Sequence, residues 1–162
     1  MSDHYSLAEL LAQESELQFD FFNNDTAWQL GSRLKLLADA QNASVLIEVY
    51  AYNQRLFCFA MSGTQPDNQH WVKRKRQSVL RFGHSSAYIG RYNQAKNRDF
   101  EQQLHIDARE YCAHGGSFPI RIKNSGVIGA ITVSGLASDE DHQMVIDAIA
   151  GIVGKNTGDI EV

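Results

Sequence analysis

The sequence predicts an α/β fold of the α+β kind, a mostly antiparallel sheet with helices on both faces. Two hairpin signals and the helical stripes around them carry this expectation. In the first, a β-branched and aromatic run at 45–52 meets Asn53-Gln54 and returns over 55–61. In the second, apolar runs flank Lys123-Asn124-Ser125-Gly126, a turn whose residues tolerate positive φ. Along the return run, Phe57, Phe59 and Met61 point one way and Leu56, Cys58 and Ala60 the other. Both faces are apolar, so helices are expected on both sides of the sheet. Several short helices fall between the hairpins, where they can cross it.

Each helix has its own start signal. Residues 6–17 form an amphipathic helix, with Leu7, Leu10, Leu11 and Leu17 on one side and Glu9, Glu14 and Glu16 opposite. Ser6 caps it and Glu9, three residues on, completes a capping box. Residues 18–22 alternate apolar and polar, as a short edge strand would. Asn23-Asn24-Asp25 supplies acceptors for a helix over 26–41, whose stripe is Ala27, Leu30, Leu34, Leu37 and Ala38. Trp28 lies beside that stripe, placed to anchor a neighbour. Pro66 and the acceptors Asp67 and Asn68 open a helix reaching Phe82. Gly83-His84-Ser85-Ser86 ends it and caps the next, 87–94, which carries Tyr88 and Tyr92 four apart. A short helix is expected after Ile106 with Asp107 as its cap. Ser138-Asp139-Glu140-Asp141-His142 starts the last helix, and the tail after Lys155 is expected to fray.

Composition limits the partners. The chain has 162 residues, enough for one domain with a real core, and is 43% hydrophobic and 21% charged. A net charge of -4 gives no general attraction to nucleic acid or anionic membrane. No apolar run approaches the roughly 20 residues of a membrane span. Met1-Ser2-Asp3-His4-Tyr5 lacks the basic start and apolar core of a signal peptide. Two cysteines make no disulfide framework, and Cys58, between Phe57 and Phe59, is expected to be buried. A reducing cytoplasm follows from both.

The chemistry-bearing candidates are few. Among Lys73-Arg74-Lys75-Arg76, Lys73 and Arg76 are expected on a solvated face. Trp71, Lys75, Ser78 and Phe82 share one face, with Arg74 adjacent. A cation there can pair with a buried acid, stack on the indole or bind an anion. Gly115-Gly116 makes a tight turn after His114. On the second hairpin strand, Ile128, Ala130, Thr132 and Ser134 form a small, polar face. That face leaves room either for a ligand to reach the backbone or for a helix to pack closely. Asp141, three after Ser138, suits a capping box and also offers a carboxylate to a site. His142 in the first turn is held towards its neutral form, able to ligate a metal or act as a base, unless it is an ordinary surface histidine.

The run Gly115-Gly116-x-x-Pro119-Ile120, then Val127-Ile128-Gly129-x-Ile131-x-Val133-Ser134-Gly135, then Glu140-Asp141-His142, resembles the haem-degrading domain superfamily (GlcG/HbpS-like). Pro66-Asp67-Asn68-x-x-Trp71-Val72-x-Arg74-Lys75 and Val79-Leu80-Arg81-Phe82-Gly83-x-Ser85-Ser86 narrow the resemblance to the branch UPF 0303. It covers nearly the whole chain as a single domain, 1–162. It implies a profilin-like three-layer sandwich, a homo-oligomer with Trp28, Tyr88 and Tyr92 as interface aromatics, and haem as a cofactor to be tested. His84, His114 and His142 are the imidazoles available to iron, and no one of them matches a family ligand.

Three functions follow. The favoured one is a cytoplasmic homo-oligomer holding a small anionic ligand in a cleft of Trp71, Arg74, Lys75, His114, Gly115, Gly116, Asp141 and His142. The second is a haem-binding or haem-degrading enzyme using His114 or His142. The third is a protein-interaction adaptor docking through the basic helix.

Overall fold

The computed structural model describes residues 5–154, five α-helices around a four-stranded sheet. The tail expected to fray and the residues before Tyr5 lie outside the described part. Helix α1, Leu7–Glu16, starts as expected, with Ser6 and Glu9 exchanging hydrogen bonds. Helix α2, Asn24–Ala40, is capped by Asn23, whose side chain accepts the Thr26 N–H while the Asn23 N–H donates to Thr26 Oγ1. Between them the expected edge strand shrinks to one parallel bridge from Phe19 to Ile122.

The strands are β1 (Leu46–Ala51), β2 (Gln54–Ala60), β3 (Ser117–Ile122) and β4 (Gly126–Ser134), in the order β2-β1-β4-β3 with every pairing antiparallel. The first turn falls one residue earlier than the sequence suggested. Ala51 pairs with Gln54, and Tyr52 and Asn53 form a two-residue loop at φ 55° and 62°. Two positive φ values match the twist of the flanking strands.

The two faces of the sheet differ in chemistry. Ile47, Val49, Phe118, Ile131 and Val133 face α2 and the last helix, α5 (Ser138–Val153), and build the main core with Leu30, Leu34, Met144 and Ile149. The opposite face carries the buried polar groups Glu48, Ser117, Thr132 and Ser134. Helix α3, Pro66–Phe82, lies across β4, β3 and β1 on that side. The small face of β4 is therefore filled by a closely packed helix. Ser134 meets Asn68 of α3, and Ser117 meets Thr132.

Strand β2 ends the sheet order, and α3 does not sit over it, so Cys58, which shares a face with Glu48 and was expected to be buried, is exposed. On the opposite face, towards α2, Phe59 is 44% exposed. Helix α4, Ser86–Ala95, follows a left-handed Gly83 and starts on Ser85, which accepts the Tyr88 amide. The helix expected after Ile106 is only a turn: the Asp107 carboxylate takes the Arg109 N–H and its backbone carbonyl takes the Glu110 and Tyr111 N–H groups, but the chain does not continue into a second turn. A single 3-10 turn, Phe100–Gln102, precedes it. No helix among the described residues is long and apolar enough to cross a membrane.

Edge strand β2 is held to α2 at one tight contact. A Cβ on Gly31 would lie 2.4 Å from the Phe57 ring. Alanine at an unhindered helical site would stabilise, so the sign tests this contact. Gly31→Ala is expected to lower stability by about 1–3 kcal/mol in urea denaturation. Adding Phe57→Leu should recover part of that loss; no recovery would show that the ring is not the obstacle.

Candidate functional site

Lys75 points from α3 into the protein and is 3% exposed. Its amine donates to Asp141 Oδ2 at 3.1 Å and to the Val133 carbonyl at 3.1 Å. Of the three roles open to it, pairing with a buried acid is the one adopted. Asp141 also accepts the Leu136 N–H at 3.0 Å. It forms no capping box with Ser138, because the cap of α5 is Ala137 and the returning bond comes from Glu140. Burial pushes the Asp141 carboxyl up to about 6, against the downward pull of Lys75 and of backbone N–H groups. Gly116 sits against this pair at φ 136°, where a Cβ would stand 2.6 Å from the Lys75 amine. A Cβ on neighbouring Gly115 would stand 2.7 Å from the Ser138 carbonyl oxygen.

The Arg74 guanidinium lies 4.7 Å from the Trp71 ring centre. Its Nε donates to the Ala108 carbonyl at 3.0 Å, and Nη2 lies 3.4 Å from Glu101. His114 meets the same indole edge-on at 5.3 Å, and burial lowers its pKa. The solvated-face expectation fits Lys73, half exposed and 3.3 Å from Glu110, but not Arg76. Arg76 is drawn inward by buried Glu48, which it meets at 3.0 Å while stacking on Tyr50 at 4.5 Å.

His142 is not a surface histidine; it is fully buried. Its Nε2 lies 2.8 Å from Gln13 Oε1, an acceptor, so Nε2 carries the proton. Nδ1 is then a buried lone pair without a partner. The ring packs edge-on against Tyr5 and beside Phe118. Burial pushes its pKa down to about 4, so the neutral form expected from sequence has desolvation as its main cause.

The main cavity lies beside these groups. It holds about 440 Å³ between α4, the Phe100 turn, the strand approach at 113–115 and the start of α5. His114 and Gly115 line it, whereas Trp71, Arg74, Lys75, Gly116, Asp141 and His142 do not. Its walls add residues that the sequence reasoning missed, chiefly Arg91, Asn93 and Arg98. Arg91 Nε is buried with no hydrogen-bond partner. Arg98 Nε donates to Asn93 Oδ1 at 2.6 Å. Asp99, Glu101 and Asp139 also line the cleft. Two of these carboxylates have work already: Glu101 holds Arg74, and Asp99 caps the 3-10 turn. Ala87, Gly90, Arg91 and Gln94 share this side of α4 at helical spacing, and Gly90 admits the Ala113 backbone, whose carbonyl oxygen would lie 2.3 Å from a Cβ there. No group of three or more His, Cys, Asp or Glu side chains among the described residues could hold a metal ion.

A four-stranded antiparallel sheet between helical layers, with a cleft running along α4, defines a three-layer α/β sandwich with a side cleft. Residues 22–150 match the model of the family described as haem degrading protein HbpS-like. A UPF0303 protein of Psychromonas ingrahamii is 66% identical over 153 residues, covering 94% of this chain and 96% of that one. The chain belongs to the HbpS-like family and, within it, to the UPF0303 proteins. The crystal structure of Ybr137w protein is similar with a TM-score of 0.85 at 28% identity, covering 93% of this chain and 89% of that one. The crystal structure of HbpS shares the fold, with a TM-score of 0.66 at 18% identity over 85% of this chain and 93% of that one.

Two stability measurements separate the roles of the buried groups. Lys75→Met leaves Asp141 buried without its cation and is expected to cost about 3–5 kcal/mol in denaturant melts. Lys75→Met with Asp141→Leu should regain most of this, since an apolar pair replaces the ionic one. If the double variant is no better than the single, the pair is not the source of the cost. For His142, the folded pKa lies below the ordinary 6.5, so its contribution is complete above pH 6.5 and is lost as pH falls towards 4. Between pH 7 and 5 the native chain should lose about 2 kcal/mol more than His142→Leu. Asp141 titrates in the opposite sense over part of this range but is common to both proteins. Equal losses would show that His142 is not buried in the neutral form.

Proposed function

We propose that this domain binds a small anionic molecule in the cleft between α4 and the start of α5, with Arg91 as its charged anchor. The state of Arg91 supports this most directly. A guanidinium has five N–H donors and keeps its charge, and here the buried Nε has no protein acceptor. Such a donor costs free energy unless a ligand or water meets it. Residues 137–139 at the start of α5 line the cleft, but Asp139, Glu140 and Asp141 already offset that helix dipole, so the attraction rests on Arg91. His114, kept neutral by partial burial, can exchange hydrogen bonds with the bound molecule. The anchor thus moves from Arg74 and Lys75, both committed to protein acids, to Arg91. The same proposal includes a cytoplasmic location and self-association, the latter supported by Trp28, 66% exposed against Phe57 beside the open edge.

Haem, named in the family description, fits this cleft poorly. A porphyrin needs flat apolar walls and an axial ligand. The cleft offers the His114 imidazole, but Arg91, Arg98, Asp99, Glu101 and Asp139 occupy its walls. The Nε2 of His142 is engaged with Gln13.

The test is a thermal-shift screen of small carboxylates and phosphates on the native chain and on Arg91→Gln. Compounds that raise the melting temperature of the native chain should lose at least tenfold in affinity with the variant, as one charge-assisted contact implies. Equal affinity for both proteins would remove Arg91 and this cleft from the function.

A further inference from the structure

A second hollow of about 310 Å³ lies on the other side of α4. Its lining is rich in rings: Phe82, His84, Tyr88, Tyr92 and Phe100. Tyr88 and Tyr92, one helical turn apart, stack at 5.9 Å with 26° between their planes. His84 lies beside them, 4.5 Å from Tyr88 and tilted by 37°. Its Nδ1 is held at 2.8 Å by Glu14, which fixes the ring plane. At the other end, Arg98 lies 5.6 Å from the Tyr92 ring centre and is aimed by its bond to Asn93. Lys96 lies 5.3 Å from the same ring. No aspartate or glutamate lines this hollow, whereas three carboxylates line the main cleft.

A ladder of rings with cations at one end and no carboxylate in the wall is complementary to a flat, negatively charged molecule. We propose that this hollow is a second binding site, taking a small aromatic anion of one or two rings that carries a carboxylate or a phosphate. The ring lies against Tyr88 and Tyr92, and the acid group meets Arg98. Stacking rewards flatness and Arg98 rewards charge, so both are required of the ligand. This inference does not rest on the anchor at Arg91. The two hollows share only Asn93, Arg98 and Phe100 as a common wall.

The experiment titrates the full chain with 2-naphthoate, following the Tyr88 and Tyr92 ring protons by NMR. Saturable shifts of both rings are expected. Cyclohexanecarboxylate, charged but not flat, and 2-naphthylmethanol, flat but uncharged, should each bind at least tenfold more weakly. Tyr92→Leu and Arg98→Gln should each weaken naphthoate at least tenfold, while Arg91→Gln leaves its affinity within twofold. Absence of ring shifts, or equal binding of the uncharged alcohol, would overturn the site. Native mass spectrometry of Tyr92→Leu decides the remaining case. A fall in subunit number would make the hollow a contact between copies of this chain and would equally overturn it.

Discussion

The buried bond between Lys75 and Asp141 is the constraint around which the rest is arranged. Lys75 comes from the helix on the polar face of the sheet, and Asp141 from the helix that covers the apolar face. Their contact ties the two outer layers together at one end of β4, where the Val133 carbonyl takes a second bond from the amine. Two charges this deep need every neighbouring group in place, and the position beside them admits only a residue without a Cβ. The geometry of the Gly115-Gly116 approach, and with it the floor of the main cleft, follows from that requirement.

Much of the architecture was legible because it rests on local rules. Ser6 with Glu9, Asn23 before α2 and Ser85 before α4 are caps set by residues within three positions of one another. The antiparallel hairpins could be seen in alternating runs and turn residues. What could not be seen was which strand would lie at an edge. The apolar faces of β2 suggested burial, yet α3 crosses the sheet elsewhere and leaves Cys58 exposed, and α2 on the other face leaves Phe59 44% exposed. That depends on the crossing path of a helix, a tertiary choice with no signature in seven residues of strand.

The candidate site was half legible for a related reason. Trp71, Arg74, Lys75, His114, Gly116 and Asp141 do gather, and the pattern of a cation, glycines and an acid was enough to suggest it. Sequence could not say whether such groups face one another or face a ligand. Lys75 and Arg74 are matched by Asp141 and Glu101, 66 and 27 positions away in the chain. Arg91 drew no notice because what sets it apart is an unmatched Nε, shared with Arg33 and Arg121, combined with a place on the cleft wall, and neither leaves a motif. For His142, sequence left open a neutral site imidazole or a surface histidine, whereas the packing of Tyr5 and Phe118 buries it.

The open margin of the sheet has a consequence for crowded solutions. An edge strand bearing Phe59, paired to β1 on one side only, is a template onto which other chains can add. Two cations stand guard there: Arg55, 58% exposed and tethered to Glu48, and Lys35, poised 5.9 Å from the Phe59 ring centre. Any incoming chain must displace or desolvate these charges before its backbone can dock. The margin thus tolerates a sticky aromatic surface while discouraging runaway fibril growth.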